Sequence, residues 1–425
     1  MKCLKTLFSM IIVVSCHLEY GDGRRILRIK DFITDTNHKN VDYSQVFQKA
    51  WKGLCEGEGE GEGTGGSSLV INENEKYTIQ PQLFEGPCVS SYIHIQIDGK
   101  IEAPKRPKQW GNKRTESWLM FKNVESLFIN GSGVLDPHGE TWWRSVRHSK
   151  RPRTLSFKQC TDIIYNGLTQ YNSPKNHISV YGCTNATLSN LTLLAPEKSP
   201  NTDGIGISLS HNIRILDSSI QTGDDCIAIT GGRGGSSDIN ITRVACGPGH
   251  GISIGSLGKG DIDDTVEKVI VRSCSFWGTQ NGARIKTGGK RLAKNMLFEN
   301  ITVTNTKYPI IIDQHYSNGG TGHVKGNAVK VSDVTFRYIE GTSASKIAIK
   351  LDCDENQECH DIVMEHIKLT SAKPGKKLSA YCKFAGVKAS FVNIHINCGL
   401  YISSTFAVVS SSSKNYLATY TKDIF

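Results

Sequence analysis

Asp203-Gly-Ile-Gly-Ile207, Asp225-Cys-Ile-Ala-Ile229 and His250-Gly-Ile-Ser-Ile254 repeat one frame: a variable residue, a spacer, then two apolar residues flanking a third. Before them stands Asn176-His-Ile-Ser-Val180. After them come Asn281-Gly-Ala-Arg-Ile285, Tyr308-Pro-Ile-Ile-Ile312 and Ser345-Lys-Ile-Ala-Ile349. The first residues are 27, 22, 25, 31, 27 and 37 positions apart. A period of this size, with strand-like alternation inside each unit, predicts a solenoid of short β-strands. Stacked coils would bring the first positions into a column with a pitch of about 4.8 Å. That column reads Asn, Asp, Asp, His, Asn, Tyr, Ser inside an otherwise apolar repeat.

A second series alternates with the first: Asn185-Ala-Thr-Leu, Asn212-Ile-Arg-Ile, Asp238-Ile-Asn-Ile, Glu267-Lys-Val-Ile-Val, Asn295-Met-Leu-Phe, Asp333-Val-Thr-Phe and Asp361-Ile-Val-Met. Two interleaved series mean at least two strands per coil, with room for a short third. Each coil buries its apolar face only against its neighbours, so 425 residues fit one elongated domain. Its 42 glycines suit the many tight corners. Tyr43, Val46, Phe47, Ala50, Trp51 and Leu54 form an amphipathic stripe, a helix placed to cap the first coil. The alternating Glu-Gly run from Glu56 to Gly63 has no apolar content and reads as a loop. The expected division is a leader over 1–16 (cleavage up to 23), an all-β catalytic domain over 24–398, and a Ser/Thr-rich tail over 399–425.

Lys2 and Lys5 precede an apolar run from Leu7 to Val14 that ends in small residues. This is the outline of a secretory signal, too short to span a bilayer. Five Asn-x-Ser/Thr sequons, at Asn130, Asn185, Asn190, Asn240 and Asn300, agree with export. In an oxidising compartment, proximity along the chain pairs Cys55 with Cys88, Cys226 with Cys246, Cys353 with Cys359, and Cys382 with Cys398. Cys160, Cys183 and Cys274 then remain as small buried apolar residues. A formal net charge of +10 favours a polyanionic partner. Neither a zinc-ligand spacing nor an RNA-binding signature points to nucleic acid.

Strict alternation would turn Asp203 and Asp225 to the same face as Ile205 and Ile227, inside the dry stack. A bend before each strand removes the conflict, and Gly204, Gly251 and Pro309 at the spacer permit one. The outward middle positions are then Gly206, Ala228, Ser253 and Arg284, a floor of small residues and one cation. Asp224 and Asp225 can both face a groove only at a bend, which Gly223 could supply. With Asp203 one coil away, three carboxyls crowd together, and like charges raise at least one pKa. Glycoside hydrolysis needs such a division between a protonated acid and ionised partners. Bare spacing also leaves open a calcium site or a solvated turn. His250 belongs to the same column. Arg284 and Lys286 share a face, where they would bind carboxylates or pair with the aspartates.

Ser199-Pro-Asn-Thr-Asp-Gly-Ile205, Thr222-Gly-Asp-Asp-Cys226, Cys246-Gly-Pro-Gly-His-Gly251 and Arg284-Ile-Lys286, in this order, resemble the polygalacturonases, especially those of plants. The likeness runs from about Cys55 to Cys398 and includes Glu140-Thr-Trp-Trp143 and Arg151-Pro152. It implies a right-handed parallel β-helix and a secreted cell-wall enzyme that hydrolyses α-1,4-linked galacturonan without metal or cofactor, inverting the anomeric centre. The implied partner is an acidic polysaccharide, with no membrane and no second subunit. By resemblance Asp224 is the general acid, and Asp203 and Asp225 position and deprotonate the water. His250 supports the carboxylates, while Asn201, Arg284, Lys286 and Tyr308 bind substrate. Inverting enzymes hold their carboxyls about 6.5–9.5 Å apart. The chain departs from the family at Asp31-Phe-Ile-Thr-Asp-Thr-Asn37, where a glycine-rich opening motif is usual. It also departs in the shortened Thr287-Gly-Gly-Lys290 loop and at Ser317, where relatives carry cysteine. A binding homologue that turns over poorly is the alternative. Internal versus terminal cleavage is not decided by these residues.

Overall fold

The computed structural model describes residues 25–33, 42–56, 67–110, 115–258, 264–288, 291–316 and 329–398. The expected leader, the Glu-Gly run after Glu56, Ser317 and the tail from 399 lie outside them, as do Thr34–Asn37 and two residues of the loop after Lys286.

Among the described residues every strand-to-strand ladder is parallel, and successive strands of a ladder come from successive coils: a parallel β-helix. The first repeat forms a sheet of eleven described strands, the fifth, sixth and seventh being Ile205–Ser208, Ile227–Thr230 and Ile252–Leu257. Register is direct across these coils: Ile178 pairs Ile205, Ile205 pairs Ile227, Ile227 pairs Ile252, and Ile252 pairs Ala283. The two inward columns, from Ile178 and Val180 to Ile349 and Leu351, are 0–1% exposed, which makes the coil-to-coil contact dry. Burying one such side chain stabilises by about 1.5–3 kcal/mol.

The second series also stacks in register, through Ala186, Ile213, Ile239, Val269, Met296, Val334 and Ile362. Just before each stands a left-handed residue: Asn185, Asn212, Asp238, Lys268, Asn295, Asp333 and Asp361, with φ between 52° and 58°. Asn and Asp tolerate this region best among residues with a Cβ, which explains the recurring Asx at the corner. A third ladder of very short strands is present, among them Thr169–Tyr171, Thr192–Leu194 and Ser219–Gln221. It ends where one long strand, Arg291–Thr306, pairs with both Val266–Arg272 and Ser275–Trp277, and later coils carry two strands.

The capping helix spans Ser44–Glu56 and buries Phe47, Ala50, Trp51, Leu54 and Cys55. Trp51 meets Phe84 and Phe121 at 5.3 and 5.7 Å between ring centroids, closing the first coils. All four expected disulfides are formed, and Cys160, Cys183 and Cys274 are buried thiols.

One register differs from expectation. Ile310 pairs Ile349, so Ile347 rather than Ser345 continues the column after Tyr308. The column also extends backwards, to Arg153 and Ser117.

Candidate active site

The expected bend is real on three coils. Strands begin at Ile205, Ile227 and Ile252, so Asp203, Asp224, Asp225 and His250 lie in the turns that precede them. Two glycines make these turns possible. A Cβ on Gly223 would sit 2.0 Å from the Ser199 carbonyl oxygen, and Gly251 holds φ +88° with its Cβ position 2.1 Å from the Asn281 oxygen. The turn carrying Asp203 is tied to the next by Thr202 Oγ1, which accepts from the Gly223 N–H at 3.0 Å. Asn281 and Tyr308 instead begin their strands, without the bend.

Asp225 is 2% exposed and fully engaged. Lys286 Nζ donates to its Oδ2 at 2.6 Å, Ser253 Oγ donates to its Oδ1 at 2.8 Å, and Arg284 Nη1 stands 3.5 Å from Oδ1. Lys286 and Arg284 are themselves buried, and the Tyr316 ring lies 5.2 and 5.0 Å from their charged groups. Arg284 Nε is buried without a hydrogen-bond partner, leaving the guanidinium a donor in reserve. Asp224 Oδ1 accepts from the Asp225 N–H at 2.8 Å and lies 3.0 Å from His250 Nδ1; Asn201 Nδ2 reaches its Oδ2 at 3.4 Å. Asn281 Nδ2 anchors the His250 carbonyl at 3.0 Å.

The carboxyls differ in their hold on a proton. Burial, then the negative charges of Asp224 and Asp225, push Asp203 well above the ordinary carboxylate range. Burial opposes ionisation at Asp224 too. There the His250 hydrogen bond and charge, the Asp225 N–H and Lys286 outweigh it and hold the group below its ordinary value. His177, stacked against the Asp203 backbone, is lowered by burial to about 4 and stays neutral near pH 7. A proton is therefore held more firmly at Asp203 than at Asp224, whereas the resemblance assigns proton donation to Asp224.

Asp203, Asp224, Asp225, His250, Asn201, Arg284 and Lys286 thus converge on one patch. Tyr308 lies one coil beyond, half-buried beside Asn281, with the Lys307 ammonium 5.2 Å from its ring. Ser253 was legible only as a small floor residue; its donation to Asp225 depends on a contact between coils. Ligand atoms of Asp224, Asp225 and His250 lie within 4.8 Å of one another. Calcium takes six to eight oxygens. Both Asp225 oxygens already meet donors, so this set does not fit calcium.

Residues 63–391 match the family described as glycosyl hydrolases family 28. The chain is 42% identical over 340 residues to a probable polygalacturonase of Arabidopsis thaliana, covering 79% of this chain and 72% of that protein. It is 36% identical to polygalacturonase-2 of Solanum lycopersicum, with 88% and 79% covered. Its fold matches the exopolygalacturonase of Thermotoga maritima at a TM-score of 0.70 and 19% identity, over 87% and 91% of the two chains. Motif order, solenoid architecture and sequence likeness agree, and the chain belongs to glycosyl hydrolases family 28.

Proposed function

We propose that this glycoside hydrolase cleaves α-1,4-linked galacturonan in pectin by single displacement with inversion. The observation that carries this reading is the convergence of Asp203, Asp224 and Asp225 beside two buried cations, with the proton held more firmly at Asp203 than at Asp224. Arg284 and Lys286 take a galacturonate carboxylate. Binding the anion draws both cations away from Asp225. With substrate bound, the proton passes from Asp203 to Asp224, which leaves Asp203 ionised and able to accept from water. Asp224 protonates the glycosidic oxygen as its bond to the anomeric carbon breaks. Water attacks that carbon from the opposite face, and Asp203 with Asp225 accepts its proton. His250 fixes Asp224 in place, and Asn201 orients the same carboxyl.

The same reading makes the protein a secreted cell-wall enzyme acting as a monomer on an acidic polysaccharide. Four disulfides support an oxidising compartment. Among the described residues no helix is long and apolar enough to cross a membrane. The test is reducing-end release from polygalacturonate with EDTA present, for the parent and Asp224→Asn. Release by the parent that vanishes in the variant supports hydrolysis at this site. Tight binding of oligogalacturonate without release by either would replace it with a binding role.

A further inference from the structure

On the N-terminal side of the aspartates the same sheet face opens into a cleft of about 570 Å³. Lys150, Arg151, Arg153, Lys158 and Lys175 line it, with Glu116 the one acid among its lining residues. Two of these cations are already committed. Arg151 donates to the carbonyls of Val146, Pro200 and Trp143 at 2.9–3.1 Å. Lys158 stands 3.7 Å from Glu116. Arg153 and Lys175 have no ion pair among the described residues. Arg153 occupies the first position of its strand, one coil before Asn176, and Lys175 immediately precedes Asn176. Asp203 follows on the next coil, so the two cations lie roughly 5–10 Å along the axis from Asp203 and one coil further from Asp224 and Asp225. They also repel each other: burial first, then the Arg153 charge, lowers the proton affinity of Lys175. Two unpaired, mutually repelling, half-buried cations on a groove floor suit a pair of anions.

The other end of the groove is different. Asp313 aligns with Lys286 and Asp352 with Asp313, both on the outward side. Lys350 is shared between them, 3.8 and 3.1 Å away. A polyuronate would meet carboxylates there and free cations on the N-terminal side.

We propose that Arg153 and Lys175 are specificity-determining residues that bind successive free carboxylates of the substrate over the N-terminal coils. The enzyme then grips an unesterified uronate run mainly on one side of the scissile bond. This rests on hydrolysis of polyuronate at the aspartates. The test compares parent, Arg153→Gln/Lys175→Gln and the charge-keeping Arg153→Lys/Lys175→Arg on polygalacturonate and on highly methyl-esterified pectin. Loss of both charges should raise KM on polygalacturonate about tenfold with kcat retained, and narrow the preference over pectin. The charge-keeping variant should restore most of the affinity. An unchanged KM, or equal loss in both double variants, would overturn the assignment. If the parent releases no reducing ends, the hydrolysis reading fails by itself. Oligogalacturonate affinity then decides this inference, and equal binding by parent and the Gln variant sinks it.

Discussion

The acids of the groove differ from those around Glu102 and Asp136, and of the two groups only the first has the makings of a catalyst. On the short third ladder, Glu102 and Asp136 meet Lys76 and Lys100: Lys76 stands 3.0 Å from Glu102, and Lys100 bridges both acids at 3.3 and 2.9 Å. Burial opposes ionisation of Glu102, but the lysine contacts prevail and hold it below its ordinary range. In the groove, Lys286 and Arg284 both serve Asp225 and His250 serves Asp224. Among the described residues no cation comes within 4 Å of Asp203. The distribution of cations, more than their number, separates a structural salt cluster from one that retains a proton.

The largest separation should come from isosteric amides. Asp224→Asn removes the proposed proton donor and should lower kcat by about 10²–10⁴-fold. Asp136→Asn in the other cluster should leave kcat within twofold, and reducing-end assays on both variants would break the comparison if they fell together.

Cation removal comes next. Lys286→Ala removes the 2.6 Å partner of Asp225 and leaves it Arg284 and Ser253, a loss of about 1.5–3 kcal/mol in folding stability. Lys76 is 59% exposed, and Lys76→Ala should cost no more than about 1 kcal/mol. Denaturant unfolding of the two variants reads the difference.

The pH dependence of stability should have opposite signs. Asp203 has a raised folded pKa, so its contribution is fully present below the ordinary value of 3.8 and is lost as pH rises through the folded value. Asp203→Asn should therefore raise Tm near neutrality and lose that gain in acid. Glu102 has a lowered folded pKa, so its contribution is present above 4.5 and is lost as pH falls through the folded value. Glu102→Gln should lower Tm near neutrality, with the gap closing in acid. Thermal melts across pH that shift both variants in the same direction would contradict the distinction. The smallest effect is expected at Ser253→Ala, which removes one hydrogen bond from Asp225 and should cost about 1 kcal/mol, read as a fewfold drop in kcat/KM.

Much of this arrangement was legible from the chain. Alternation located both long ladders, and the bend before Ile205 and Ile227 followed from the impossibility of burying carboxylates among isoleucines. Two features were less legible for physical reasons. The short third strand was allowed for but not placed, because three-residue strands such as Thr192–Leu194 are too short to show a period. The register at Ser345 slipped by two residues, and a two-residue slip keeps every side chain on the same face, so alternation is blind to it. Proton placement was hidden as well, because Lys286 reaches Asp225 rather than Asp203 from 61 positions away.

The strands that follow the candidate aspartates and His250 are the fifth, sixth and seventh of the eleven described. In a nearest-neighbour stack, terminal coils have one stabilising interface and interior coils have two. Heat should therefore fray the assembly from its ends, and amide exchange should be slowest around Ile205, Ile227 and Ile252. Part of the circular-dichroism signal would then be lost before activity falls, because the chemistry occupies the segment that opens last.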